Sequence, residues 1–539
     1  MNMNGSLFAT AVLAISTGAV LAAEPAGDAD LWALAQRHAD VLTFSTLFTA
    51  QDVRDRLSKP EQIAQVIRWC KATAVTHVYV ESFRGGYTPD KETLLAAKRA
   101  FTEAGVGVSG CITTTDIGRK SVRGWIFPCF SEQAGLDNMQ RAFEYAAGLF
   151  DEIMIDDFFA TSCECDDCLK ARGDRSWSEF RCRLMAEVSR KYVLEPARRV
   201  NPKVKIIIKY PQWYDNFHER GYDVAGQTET FDKIWVGTEL RDPDDKEWGR
   251  KTQYEGYFIM RWLGGIGGAK CGGGWFDPYG TSPATYLEQA RQTVLGGGRE
   301  AVLFCYGSLH EQKGPADVEA LRKELPGLFE LAGLIRGQEP RGIAAPKPPN
   351  SDGKGNEYVY DFVGMLGLPL APCTQVRADA PAAFLPVQVL KDPEALAGIQ
   401  KMIAAKTPLL MTRQLADKLP ASLRPEGESV QVLEVPKDAW ALMDLPAERL
   451  RDIRKRILAP LGVEFDAPTR VVLCLFGKDL AVVENFNDKP IEARLVLRAG
   501  SRPALALALP AGSAKVSAAG GAATVQLPPR SLAVVRFER

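Results

Sequence analysis

Histidine is scarce: His38, His77, His218 and His310 are the whole complement. They form no spaced metal motif, which argues against a catalytic zinc and against a Ser-His-Asp hydrolase. A surplus of positive charge is also missing. The 66 Lys and Arg residues stand against 67 Asp and Glu, a net charge of -1, and nucleic-acid recognition normally shows as a basic excess or stripe. A neutral polymer such as a glycan stays compatible. Long apolar runs are absent beyond Leu7 to Ala22. That stretch closes on small residues and reads as a secretory leader over 1–23, although Met-Asn-Met-Asn-Gly before it carries no Lys or Arg; an uncleaved membrane anchor is the alternative. A soluble, periplasmic or secreted mature protein is expected, with no membrane partner after cleavage.

What is present is a long alternation. After Asp28, short β-branched or apolar runs take turns with helix-periodic segments, the pattern of βα units around a parallel sheet. Eight strands are expected: Val41 to Leu47, His77 to Glu81, Val106 to Thr113, Glu152 to Asp156, Lys205 to Tyr210, Lys233 to Thr238, Lys270 to Phe276 and Ala301 to Tyr306. Helices fall between most of them, including Pro60 to Thr73 and Leu136 to Leu149. Eight units in about 300 residues is the arithmetic of a (β/α)8 barrel. A doubly wound open sheet would carry a glycine fingerprint after its first strand, and Ser45-Thr-Leu-Phe-Thr has none.

The fold class read from this is α/β: a TIM barrel over 28–338, a small Rossmann-like α/β domain over 355–465 and a C-terminal β-sandwich over 468–539. The Pro- and Gly-rich stretch from Gly342 makes the first junction. In the middle domain, Tyr358 to Val363 and Pro386 to Leu390 read as strands, Asp392 to Ala405 as a helix and Leu409 to Thr412 as a strand. From Val471 short strands separated by turns indicate the sandwich. The Ala- and Gly-rich stretch 499–524 reads either as a linker or as sandwich loops and edge strands.

Eleven cysteines in an exported chain cannot all pair internally. Cys163-Glu-Cys-Asp-Asp-Cys168, just after the fourth strand, has the ligand type and spacing of a tetrahedral structural zinc. A fourth thiolate must come from elsewhere. Cys129, in the loop after the neighbouring third strand, is placed to supply it; Cys111 and Cys182 are weaker alternatives, and a disulfide with one free thiol, or reduced buried cysteines, are the other readings. Such a closed site would hold a loop and do no chemistry.

At these residues the chain resembles the family-42 beta-galactosidases. The resemblance implies a zinc cluster of Cys129, Cys163, Cys165 and Cys168, and it extends to Ser178-Glu-Phe-Arg and to the order of barrel, Rossmann-like domain and sandwich. It also implies homo-oligomers formed through the middle domain. The family's fourth strand ends in Asn-Glu, whereas here it ends in Ile155-Asp156-Asp157.

Barrel enzymes place their chemistry at the carboxyl ends of the strands, and glycosidases need two carboxyl groups across the scissile bond. Asp156 and Asp157 supply one member, the nucleophile, and Glu239 at the end of the sixth strand supplies the general acid/base. That arrangement would resemble alpha-galactosidase-type barrels. Asp277 on the seventh strand is the reserve. Glu81, Lys209, Tyr210, Trp213, Arg241, Trp275 and Tyr306 are candidate substrate contacts, as polar clamps and aromatic platforms. The expected function is therefore a retaining, exo-acting glycoside hydrolase without a catalytic cofactor, acting on an oligosaccharide, polysaccharide or glycoside. A catalytically inactive glycan-binding barrel and a non-glycosidic barrel enzyme acting on a sugar acid are the alternatives, the latter favoured if Lys209 and Arg241 share one pocket.

Overall fold

A computed structural model describes residues 28–122, 127–247, 250–423, 428–497 and 501–538; the leader read at 1–23 lies outside them. The eight expected runs form β1 (Thr43–Phe48), β2 (Val75–Phe83), β3 (Gly107–Ile112), β4 (Glu152–Ile155), β5 (Lys205–Tyr210), β6 (Lys233–Gly237), β7 (Cys271–Phe276) and β8 (Glu300–Leu303). Each pairs in parallel with the next, and β8 closes on β1, so the sheet is a complete barrel. Alternation along each strand sends one set of side chains into the barrel and the other outward onto the helices. The inward set packs as Leu47, Tyr79, Cys111, Met154, Ile207, Trp235, Trp275 and Val302, one from each strand. Room for the Trp235 indole comes from the glycines of β7. A Cβ at Gly272 would stand 2.1 Å from that ring.

The chain then runs into β9 (Pro340–Arg341), β10 (Ile343–Pro346), β11 (Leu370–Cys373), β12 (Ala383–Leu385), β13 (Leu409–Thr412) and β14 (Val430–Leu433). Strands β10 to β14 make a parallel sheet in the order β11-β10-β12-β13-β14. Two expected strands are corrected here. Val359–Met365 is a helix, and all seven of its residues are buried, Asp361 included, so it showed no polar face by which to tell helix from strand. Val387–Lys391 is a 3-10 turn, and the strand lies just upstream in β12.

The last strands are β15 (Glu464–Asp466), β16 (Val471–Phe476), β17 (Leu480–Asn485), β18 (Ile491–Val496), β19 (Arg502–Leu509), β20 (Lys515–Ala519), β21 (Ala522–Leu527) and β22 (Ser531–Glu538). They form two antiparallel sheets, β15-β18-β21-β20 and β19-β22-β17-β16-β9. The Ala- and Gly-rich stretch thus supplies strands, and β9, from the junction after the barrel, closes the second sheet. Among the described residues no helix is long and apolar enough to cross a membrane.

Barrel and parallel sheet meet along the barrel helix Glu255–Gly267. Phe258 stacks on Tyr360 at 4.6 Å, and the Trp262 indole donates to the Lys347 carbonyl at 2.8 Å. Gly364 lies flat against the Tyr254 ring, where a Cβ would come within 2.1 Å. Gly364→Ala is therefore expected to overpack this seam and lower stability by about 1–3 kcal/mol, read as a lower urea midpoint at unchanged slope.

Candidate active site

The inward face of the strands continues past the barrel core to its carboxyl end. Two residues beyond Tyr79, Cys111, Met154, Ile207 and Trp275 come Glu81, Thr113, Asp156, Lys209 and Asp277, and four beyond Trp235 comes Glu239. Identical parity puts all six in one cup, above a floor on which Trp275 stacks with Phe304 at 4.9 Å.

Three cations organise the acids. The Lys209 ammonium is completely buried, 2.9 Å from Asp157 Oδ1, 2.5 Å from Glu239 Oε1 and 4.3 Å above the Trp275 ring. Burial opposes its charge, but Asp157 and Glu239, with Asp156 behind them, hold the ammonium above its ordinary pKa. Arg84 donates to Glu81 at 2.8 Å and to Asp156 Oδ2 at 2.5 Å. Thr113 Oγ1 bridges the same two acids at 2.5 and 2.9 Å. Arg241 pairs with Asp277 through both nitrogens, at 2.9 and 3.1 Å.

These contacts sort the acids. Glu81 is sealed, and one of its oxygens also accepts from the Ala50 N–H at 2.8 Å; it braces the site and does not face a substrate. Asp156 is 3% exposed and uses both oxygens, one on Arg84 and Thr113, the other on the Asp157 N–H at 2.6 Å. Asp157 is the open one, its side chain 18% exposed against 4% for Glu239. The next residue, Phe158, has φ +74. An aromatic residue in the left-handed region is an outlier of the kind that gathers at functional sites, and here it turns the chain directly after Asp157.

Five acids against three cations leave the cup two charges negative if every group is ionised, a state that burial disfavours. Burial raises Asp157 to about 8, with Glu239 and Asp156 adding to the effect and Lys209 opposing it. Burial likewise lifts Asp277 to about 6 and Glu81 above its ordinary value, in both cases against the pull of the paired arginine.

Of the aromatic candidates, Trp275 is the cup floor and Trp213 a partly exposed rim beside β5, facing Phe127 at 6.4 Å. Tyr210 and Tyr306 are corrected. Tyr210 has the opposite parity to Lys209 and points outward, its hydroxyl 3.1 Å from Thr228 Oγ1. Tyr306 packs on Phe48, Trp69 and His310 in the outer layer. Arg84, Thr113 and Phe304 were not singled out from the sequence; the parity of Thr113 with Cys111 and of Phe304 with Val302 is the signal that finds those two, whereas Arg84 sits past the end of its strand.

Beside the cup, Cys129, Cys163, Cys165 and Cys168 bring their sulfurs within 4.8 Å of one another. Arg119 donates to Cys129 and Cys165 at 3.5 and 3.2 Å, and Ser131 Oγ lies 3.2 Å from Cys168. A hydrogen bond from Cys168, helped by those from Ser131 and Arg119, holds the Cys129 thiol well below the usual thiol range. Four sulfurs with a cation among their donors suit a thiophilic metal. Cys111 lies in the barrel interior and Cys182 near the His218 carbonyl, apart from the cluster.

A closed parallel barrel with a cup of acids at the carboxyl end of its strands defines the class of (β/α)8 barrel proteins. Residues 29–331 match the family described as "Probable glycosyl hydrolase, catalytic domain", and the chain belongs to that family. "Uncharacterized protein SSO3021" of Saccharolobus solfataricus is 28% identical over 343 residues; the match covers 58% of this chain and spans only 57% of that relative. Among solved structures, alpha-L-fucosidase isoenzyme 2 from Paenibacillus thiaminolyticus superposes with a TM-score of 0.63 at 11% identity, over 92% of this chain and 99% of that one. At such identity the likeness concerns the fold.

The raised acids have a sign that can be tested. A carboxyl whose folded pKa exceeds its unfolded value binds more protons when folded, so its contribution is full below about pH 4 and is lost as pH rises through the folded pKa. Stability is expected to fall from pH 4 toward pH 8, and Asp157→Asn to flatten the upper part of that slope. Thermal melts across this window check it, and parallel profiles for the two proteins contradict the placement of Asp157.

Proposed function

We propose that this glycoside hydrolase is a retaining, exo-acting enzyme whose reacting pair is Asp157 and Glu239. The observation that carries the reading is the single ammonium of Lys209 in contact with both. Two oxygens held by one nitrogen can be no farther apart than the two contacts laid end to end, an upper bound that lies short of inversion's roughly 6.5–9.5 Å and so favours the closer spacing, about 5–5.5 Å, of retention. Burial and the neighbouring acids raise Asp157 while Lys209 opposes them, and a retaining mechanism needs two such carboxyls in unlike protonation states, one as nucleophile and one as acid.

In the first step the nucleophile attacks the anomeric carbon. The bond to the leaving oxygen breaks as the acid's proton passes to that oxygen, giving a glycosyl-enzyme ester. In the second step the same acid, now ionised, takes a proton from water, which displaces the enzyme carboxylate. Asp157 as nucleophile and Glu239 as acid/base is the assignment that follows the alpha-galactosidase-type arrangement. A second reading exchanges the roles, and the raised pKa of Asp157 in the resting site favours it. Mass spectrometry after trapping with a 2-deoxy-2-fluoro glycoside separates them by which residue carries the label.

Lys209 and Arg241 share the cup, the condition that favours the sugar-acid alternative, but each is matched there by carboxylates rather than turned to a sugar acid, and this supports the glycosidase reading over it. The left-handed turn at Phe158 beside two acids on one buried ammonium favours an active site over an inactive glycan-binding barrel. Asp157→Asn and Glu239→Gln are each expected to lower aryl-glycoside turnover by at least about a hundredfold, in a panel that includes an aryl alpha-L-fucoside because of the structural neighbour. Near-normal turnover in both variants removes the assignment. Release of single sugar units tests exo attack.

The resemblance to the family-42 enzymes supports a structural zinc on Cys129, Cys163, Cys165 and Cys168, binding the loop after β3 to the loop after β4. The purified protein is expected to hold one zinc per chain with sulfur ligands at about 2.3 Å by X-ray absorption, and Cys165→Ser to lose the metal and melt lower. Export through the leader at 1–23 and assembly through 355–465 complete the proposal, read by the mature N-terminus and by light scattering.

A further inference from the structure

A hollow of about 310 Å³ opens at the carboxyl end of the barrel between the loops that follow β6, β7 and β8. We infer that it is a second sugar subsite, for the unit joined to the one in the cup, and that its walls select a neutral or amine-bearing unit over an acidic one. The inference rests on the glycosidase reading and names the substrate class of that site.

Continuity comes first. Tyr279 is a wall of the hollow, and it is tied to the cup at both ends: its backbone N–H donates to Asp277 Oδ1 at 3.0 Å, and its ring meets the edge of Phe304 at 6.2 Å. Phe304 stacks on Trp275, over which Lys209 stands. A chain of ring contacts, Tyr279 to Phe304 to Trp275, therefore places the hollow next to the cup. The volume lies at the lower end of the roughly 300–1,000 Å³ of small-molecule sites. Hydroxyl-rich ligands are suited to its lining, where Tyr279 and Ser308 pair their hydroxyls at 2.6 Å and can each turn to a guest.

Charge supplies the class. Asp245, Glu247 and Glu311 line the hollow, with Lys313 as the cation of its exposed lip. Glu311 also faces Arg56 at 2.9 Å. In the cup, Arg84, Lys209 and Arg241 are each held by carboxylates. A uronic acid or sulfated unit would enter a doubly acidic neighbourhood whose buried cations are already engaged, and like-charge juxtaposition is costly. An ammonium or a neutral hydroxyl face meets no such opposition.

The test uses the full chain at low ionic strength, titrated with glucosamine, glucose and glucuronate and followed by ligand-observed NMR. Glucosamine is expected to bind at least about tenfold more tightly than glucuronate, with glucose between them. Glu311→Lys, on an exposed side chain that tolerates change, should narrow that gap several-fold. Equal binding of the three sugars, or a gap that Glu311→Lys leaves intact, overturns the selection. A kinetic arm tests the subsite. A disaccharide should be cleaved with higher kcat/KM than the corresponding methyl glycoside, and Glu311→Trp, which fills the hollow, should erase the advantage. Equal rates on both substrates overturn the subsite while leaving the glycosidase reading in place. Cleavage of no glycoside at all sinks that reading instead, and the NMR order still reports on the hollow.

Discussion

The contact on which the site depends is the buried ammonium of Lys209 between Asp157 and Glu239. A lysine with no solvent access keeps its charge only because two carboxylates face it, and those carboxylates tolerate each other only because it lies between them. Remove the cation and the two acids repel in a low-dielectric cup; remove either acid and the cation is left partly uncompensated. The arrangement is thus an electrostatic unit, and one ammonium in contact with both groups limits how far apart they can lie.

Such a unit needs rigid walls. Lys209 is carried on β5, Asp157 follows β4 and Glu239 follows β6, three adjacent strands of a closed ring. The ring's interior is filled by Met154, Ile207, Trp235 and Trp275 directly beneath, so the polar layer cannot sink into the barrel. Arg84 and Thr113 brace Asp156 from the β2 and β3 side, and Arg241 braces Asp277 from the other. With these two flanking acids held by arginines, Asp157 is the most exposed acid of the cup.

Much of this was legible in the residues. The eight strands are visible because each is a short β-branched or apolar run between helix-periodic segments, and Asp156, Asp157, Glu239 and Asp277 stand out as acids at the ends of such runs. Parity was the information left unused. Lys209 and Tyr210 are neighbours, so both cannot face the cup, whereas Tyr306 shares the parity of Phe304 but lies past the end of β8, where alternation no longer holds, and packs on Phe48, Trp69 and His310. Arg84 was hidden for a different reason: it follows β2 in a loop, and its reach across to Asp156 depends on the β2-β3-β4 neighbourhood. The helix at Val359–Met365 was mistaken for a strand because burial on every side erases the polar face that marks a helix.

The same reasoning explains why the chain past the barrel is more than an appendage. Glu255 opens the barrel helix that packs against the second sheet, and the neighbouring Gly256 lies against Thr238 and Leu240, the two residues that flank Glu239. Burial raises Glu255 to about 7, with Lys251 and Arg241 opposing that shift and Glu239 adding to it. Across the seam, Asp361 accepts a hydrogen bond from Tyr214 at 3.0 Å, and Glu255 contributes to its own raised pKa. A run of buried acids therefore extends from Glu239 through Glu255 to a residue of the second sheet's own helix. Because buried charges feel one another far more than exposed ones do, Glu255 joins the two regions: it helps hold Arg241 charged on the barrel side and raises Asp361 on the other.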